Sequence, residues 1–214
     1  MKPSGARALA PWIMWAAIAL VVELDALELQ ALAAGVALIA AIGVVGLRKH
    51  HHTRVGVLGR ASAQLSTDVV TVLGAGLARP GPGTVGALSA LPLAHALSWL
   101  DPVLHALALL LITALSTVAI HDYLQVARTT EDPSEVVVDE LVGVSIALAF
   151  VPWTLPGVTL AFVLFRAFDI AKPGPVGWAD RHVHGARGVM LDDVIAGVLA
   201  GAVAWAIGSV VPLS

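Results

Sequence analysis

Long apolar runs separated by short polar segments dominate this chain. They cover residues 8–22, 29–47, 85–100, 103–120, 137–151, 155–168 and 194–212. Several fall short of the ~20 residues that a straight membrane span prefers, so their ends extend into the flanking segments or the helices pack on one another. The breaks carry helix punctuation: Asp101-Pro102, Pro152-Trp153, Leu155-Pro156 and the Gly/Pro-rich stretch 74–86. No period-two alternation of the kind that marks a half-buried strand stands out. The pattern predicts an all-α fold, a polytopic transmembrane bundle of about seven helical segments.

Composition agrees. The chain is 58% hydrophobic and 13% charged, with a mean hydropathy of +0.88, whereas soluble domains average about 25% charged residues. A chain this apolar cannot cover itself with polar surface, and a bilayer is its natural solvent. A net charge of -3 gives no reason to expect a nucleic-acid partner, and the absence of cysteine excludes disulfides, thiolate nucleophiles and Cys-ligated zinc. Residues 1–22 have the outline of a signal peptide, Lys2 and Arg7 before an apolar run. Glu23, Asp25, Glu28 and a second apolar run follow at once, which favours a retained first span.

Charge fixes the expected orientation. With alternating runs and a cytoplasmic N-terminus, the inside segments are 1–7, 48–84, 121–136 and 169–193. Eleven of the twelve Lys and Arg residues fall there, and Arg166 closes a run that enters one. The outside turns hold only Glu23, Asp25, Glu28 and Asp101. This is the positive-inside asymmetry of a membrane protein. The chain divides near residue 60: residues 1–60 read as an N-terminal transmembrane hairpin plus a basic cytoplasmic linker, and 61–214 as a second domain, which carries the polar motifs. His50, His51 and His52 in that linker read as a headgroup-facing strip rather than a metal site.

The remaining eleven acids all lie on the cytoplasmic side, several at the ends of apolar runs, where an unpaired carboxylate is costly. Such a cluster calls for Lys, Arg or a hard cation such as Mg²⁺. Four segments concentrate the chemistry. In 131–143, Asp132 is expected as a helix N-cap with Pro133 in the first turn, which would put Glu135 and Asp139 on one face; Asp139-Glu140 heads the apolar run. In 165–175, a helix delivers Arg166, Asp169 and Lys172 before Pro173 and Pro175 force an extended turn; Arg and Lys are the usual phosphate holders. In 180–193, a glycine-containing loop carries Arg181 and His184, and Asp192-Asp193 opens the last helix. In 79–86, a Gly/Pro loop ends at a helix start, where backbone N–H groups favour anions.

In this order the four segments resemble the phosphatidylglycerophosphatase A family. The matching residues are Pro82-Gly83-Thr84; Asp132-Pro133 through Asp139-Glu140 and Gly143; Phe165 through Pro175; and Gly188 through Gly197. The likeness covers about residues 62–212. Glu131, Ala87 and Ala186 depart from the family pattern. The resemblance implies Mg²⁺-dependent hydrolysis of phosphatidylglycerophosphate to phosphatidylglycerol and inorganic phosphate, at the cytoplasmic face of a bacterial inner membrane. It points to Asp139, Glu140, Asp169, Asp192 and Asp193 as metal ligands, with Asp139, Glu140, Asp169 and Asp193 as the catalytic set. Thr84, Arg166, Lys172, Arg181 and His184 are the expected phosphate contacts. A water nucleophile is expected, with an aspartyl intermediate left open. Two alternatives are a carboxylate-lined ion or metal transporter, which would need acids at mid-span, and a phosphatase for another lipid phosphate. Oligomeric state is left open.

Overall fold

The computed structural model describes residues 57–78, 81–129 and 132–213. The expected hairpin of 1–47 and most of the basic linker lie outside the described residues. Among those described the fold is all-helical, as expected. The helices are α1 (Val57–Val70), α2 (Pro82–Ser98), α3 (Pro102–Ala127), α4 (Val138–Leu148), α5 (Leu155–Ala171), α6 (Pro175–His182) and α7 (Ala186–Gly208), with a 3-10 turn at Ala75–Leu77.

The helix boundaries follow local chemistry. Asp101 caps α3 by accepting the N–H groups of Val103 and Leu104 at 3.0 and 3.2 Å, with Pro102 at the first helical position. Thr154 caps α5 in the same way, accepting from Gly157 N. Lys172 ends α5 in the left-handed conformation at φ 46, directly before Pro173. Two helices were not registered by hydropathy. Helix α1 lies in a segment expected as a polar inside stretch and runs through the division near residue 60, and α6 replaces the extended turn after Pro173. Both are rich in polar residues and too short to register as apolar runs.

Helix α7 is the hub, with α4, α5 and α6 packed on it; α2 lies on α4 and α1 on α3. The core is built largely from alanine and valine, with Phe165 wholly buried among them. Its tightest point is the crossing of α4 and α7. A Cβ on Gly143 would stand 2.8 Å from Asp193 O and overlap the Phe165 ring. One on Gly197 would overlap Gly143 O and lie 3.1 Å from the Gly143 Cα. Gly197, Ala200, Gly201 and Ala204 are all buried on this helix. Small residues that let backbones touch are the usual means of helix association where lipid removes the hydrophobic drive.

The helix ends gather at two poles. At one, His95 at the end of α2 lies against Trp153 with the rings tilted by 30° (centroids 4.6 Å apart) and meets Trp99 edge-on at 6.0 Å, while Thr154 Oγ1 donates to Leu213 O. At the other, Val137 N donates to Val70 O at 2.9 Å, and Gly76 and Gly86 press on Glu135 and Val137. The charged constellations lie at this second pole. By length and composition alone, α3 and α7 are the two described helices that can cross a membrane. Helices α2 and α5 have 17 residues each and α4 has 11, about 26 and 17 Å of rise, so a bundle of about seven full spans is not confirmed.

The crossing yields a prediction. Gly197→Leu is expected to destabilise the protein by about 1–3 kcal/mol, the usual cost of overpacking, seen as a lowered unfolding midpoint in mild detergent. Ala202→Leu, on the exposed face of the same helix, is expected to leave the midpoint unchanged.

Candidate active site

Helix α4 starts later than the sequence suggests. Val137 precedes its first turn, held by its bond to Val70, and residues 133–136 form a turn. Asp132 is therefore not the helix N-cap, and Glu135 and Asp139 do not share a helical face. The Glu135 carboxylate instead accepts a 2.9 Å hydrogen bond from the Tyr123 hydroxyl of α3. The late start places Asp139 and Glu140 in the first turn of α4, where the helix dipole favours negative charge. Asp139 is 3% exposed, and its Oδ1 accepts the Glu140 N–H at 3.0 Å.

Helix α7 starts earlier than expected, at Ala186 after Gly185. Asp192 and Asp193 thus lie about two turns inside it and do not cap it. Neighbours in a helix point about 100° apart, and the pair divides accordingly. Asp193, 4% exposed, joins Asp139 and Glu140: one carboxylate oxygen from each lies within 4.8 Å of the others. Asp192 turns to the Lys172 ammonium, whose Nζ donates to its Oδ2 at 2.9 Å and also to Asp180.

One cation flanks the trio, and a second holds Asp192 to one side of it. Arg166 Nη1 bonds Asp169 Oδ2 at 2.5 Å and stands 4.0 Å from Glu140 Oε1, while the Asp169 carboxyl touches Asp193. The turn Pro82-Gly83-Thr84 closes over this pair: a Cβ on Gly83 would overlap Glu140 Oε1 and lie 3.4 Å from Arg166 Nη2. A larger residue there would have to displace the Glu140 carboxylate from beside the α2 start. For Lys172, burial disfavours the charge, but the hydrogen bonds and charges of Asp180 and Asp192 outweigh it and hold the ammonium above its ordinary value.

Beside the trio, a cavity of about 410 Å³ is lined by Asp132, Asp180, His184, Asp192 and the backbone of the α6–α7 turn. Asp132 keeps solvent access at its mouth while protein crowds its inner side. That burial, then the charges of Glu140 and Asp192, push its carboxyl up to about 7 against the pull of Lys172.

The expected site residues therefore distribute unevenly. Asp139, Glu140 and Asp193 converge, Asp169 adjoins them through Arg166, and Asp192 belongs to the Lys172 side. Thr84 is exposed in the first turn of α2, His184 is exposed on the cavity wall, and Arg181 is exposed on α6. Asp132 and Asp180 were not among the expected site residues, although both lie inside the motifs; Asp180 pairs with Lys172 and Asp132 sits near both groups.

The trio suits a hard divalent cation. Its donors are all carboxylate oxygens, Arg166 is the cation beside it, and Glu140 Oε2 is buried without a hydrogen-bond partner. Oxygen-only sets of this kind are what Mg²⁺ and similar ions select.

Comparison with known proteins agrees with this arrangement. The sequence model of the family described as Phosphatidylglycerophosphatase A matches residues 69–208. Phosphatidylglycerophosphatase A of Escherichia coli is 35% identical over 147 residues, 65% of this chain and 81% of that protein. The Haemophilus influenzae protein of the same name is 38% identical over 143 residues, 63% and 83% of the two chains. A Bacteroides thetaiotaomicron protein provisionally named phosphatidylinositol-3-phosphatase is 39% identical over 155 residues, 64% and 92% of the two. No solved structure matches the chain. With the family model covering well over half of the sequence and the motif carboxylates meeting in one place, the chain belongs to the phosphatidylglycerophosphatase A family.

Proposed function

We propose that the protein hydrolyses phosphatidylglycerophosphate to phosphatidylglycerol and inorganic phosphate with Mg²⁺, as a multi-pass protein of a bacterial plasma membrane whose site faces the cytoplasm. The observation that carries this reading is the convergence of Asp139, Glu140 and Asp193 within 4.8 Å, with Arg166 beside them and Lys172 paired to the neighbouring Asp192. The names of the Escherichia coli and Haemophilus influenzae relatives support it.

Asp139, Glu140 and Asp193 would hold the ion, with Asp169 and Asp192 at its margin. Bound there, a divalent ion polarises phosphoryl oxygens and acidifies a bound water. The chain's own groups do the rest. Asp169 fixes the Arg166 guanidinium over Glu140, and the Gly83 turn keeps the approach to that fork short. Asp180 and Asp192 engage two of the three Lys172 donors, and the third remains for a phosphoryl oxygen. Both cations offset the charge that builds on the phosphoryl group during displacement. Water attacks phosphorus, the P–O bond to the glycerol breaks, and the alkoxide leaves with a proton as the alcohol.

A bilayer setting is supported by the two long apolar helices and by the Leu104, Leu107 and Leu110 side chains exposed on α3. The gathering of acids at one pole favours a surface-facing enzyme over an ion carrier, which would need them at mid-span. The Bacteroides relative's name favours a second reading within the same chemistry, a phosphomonoester on another lipid headgroup.

Chelation with EDTA is expected to abolish phosphate release from phosphatidylglycerophosphate by the purified protein, and added Mg²⁺ to restore it. Full turnover after thorough chelation would remove the ion from the mechanism.

Asp139→Asn and Asp193→Asn are each expected to lower kcat by at least about 10²-fold, the low end of what losing one transition-state stabiliser costs. Asp68→Asn is expected to stay within a few-fold of wild type. Asp68 lies on α1, bonded to Gln64.

Single cysteines report the topology. The chain has no native cysteine, and Ser134 and Ser98 are both exposed, at the charged and the aromatic pole respectively. In intact cells a membrane-impermeant thiol reagent is expected to label Ser98→Cys and to spare Ser134→Cys. The reverse pattern would invert the orientation.

A further inference from the structure

Helix α6 carries a surface that the hydrolysis leaves unused. It forms the corner between α5 and α7, and a Cβ on Gly174 or Gly185, at its two ends, would meet nothing within 4 Å. Val176, Gly177 and Ala179 are buried on its inner side. Its outer side presents Trp178, which is 53% exposed. The indole is nevertheless held in place. It stacks on the His182 ring one turn later, with the planes 17° apart and the centroids at 5.5 Å, and His182 Nδ1 lies 2.8 Å from Trp178 O. An exposed tryptophan fixed in this way offers a large amphipathic ring at little entropic cost.

Two features of the surroundings constrain the partner of this ring. The first is apolar continuity. Val163, Ala167 and Ile170 are exposed on α5 at spacings of four and three residues, which is one helical face. Exposed Pro173 and Pro175 follow, and then Trp178, so an apolar strip leads along α5 to the charged pole and onto α6. The second is charge. Between Pro173 and Gly188 the exposed charged residues are Asp180, Arg181 and Arg187, with His182 and His184 also exposed. Asp180 is already paired with Lys172, which leaves the arginines as the outward charge of this corner. An anionic lipid leaflet matches both features, with acyl chains along α5 and headgroups at the corner. Tryptophan is enriched at headgroup level, and arginine is drawn to an anionic surface.

We infer that α6 and the corner after it are an interfacial anchor seated in the headgroup layer of an anionic bilayer. Trp178 enters that layer, and Arg181 and Arg187 face the headgroup charge. The inference rests on the bilayer part of the proposed function and goes beyond it by naming the element that lies at the interface. Asp180, two residues after Trp178, bonds the Lys172 ammonium, and Gly177 lies against Lys172 O. Seating α6 on the headgroups therefore holds Lys172 at the height of the lipid phosphates.

Trp178 itself is the probe. The purified full-length protein is reconstituted in phosphatidylcholine vesicles whose acyl chains are brominated close to the headgroup, with and without phosphatidylserine, an anionic lipid that is neither substrate nor product. The difference in tryptophan emission between wild type and Trp178→Phe is the Trp178 signal. That signal is expected to lose most of its intensity to the brominated lipid, to resist aqueous acrylamide, and to lose more when phosphatidylserine is present. Arg181→Gln combined with Arg187→Gln is expected to abolish the phosphatidylserine effect. Leu110→Trp, on the exposed face of α3 and in the Trp178→Phe background, reports the bilayer itself and is expected to be quenched by lipid brominated deeper in the chain. Quenching at that α3 position with a Trp178 signal open to acrylamide would overturn the anchor alone. A Trp178 signal shielded from both lipid and acrylamide would assign the surface to a protein contact, a second copy of the chain included, and also overturn it. Equal quenching with and without phosphatidylserine would overturn the anionic surface as the partner. No lipid quenching at the α3 position would overturn the bilayer reading together with the anchor.

Discussion

The contact of α4 and α7 at Gly143 and Gly197 governs the charged pole, because neither residue has a side chain to hold the backbones apart. Both helices start at the charged pole, so they run in the same direction. Asp139 precedes Gly143 by four residues, and Asp193 precedes Gly197 by four. Each acid therefore sits about one turn before the glycine on its own helix. Closing the glycine contact brings the two carboxylates together, with Glu140 beside them. The same packing that stabilises the bundle thus forces like charges into proximity, and it is tolerable because cations can balance them.

That balance is divided between two groups. Arg166 sits on the trio's side and is oriented by Asp169; Lys172 sits on the cavity side between Asp180 and Asp192. The division follows from the 100° step between Asp192 and Asp193, which sends consecutive residues of one helix into different neighbourhoods. Helix α6 contributes through Asp180, fixing the Lys172 ammonium after α5 has ended. Arg166 and Lys172 are six residues apart on one stretch of chain, yet each answers to a different carboxylate set.

Much of this was legible in the sequence, because the signals were chemical and local. Asp101-Pro102 and Leu155-Pro156 marked helix starts that the structure places there, and the motif acids pointed to the right pole. The errors arose where local rules met tertiary contacts. Asp132-Pro133 has the composition of a helix start, but the bond from Val137 to Val70 and the packing of Gly86 on Val137 go with a start of α4 five residues later. Asp192-Asp193 looked like a capping pair because the longer apolar run begins after it, whereas the helix itself begins at Ala186 and already carries Val189, Met190 and Leu191 before the pair. Helices α1 and α6 escaped notice because hydropathy reports apolar length, and neither has it. Asp180 had no local signal beyond its motif, since its partner lies on the preceding helix.

The matched one-turn spacing has a consequence for how the chain can change in length. Inserting or deleting a single residue between Asp139 and Gly143, or between Asp193 and Gly197, would rotate a carboxylate by about 100° relative to its glycine. The two turns are thus rigid in length even where their side chains are not individually fixed. At the aromatic pole nothing comparable applies: residues 99–101, 149–154 and 209–213 join or follow helices without contributing to the charged cluster. Loops lengthened there, or a tag or second domain fused after Leu213, would leave the register of the carboxylates unchanged. The protein therefore has one pole at which length is constrained and another at which it is free to vary.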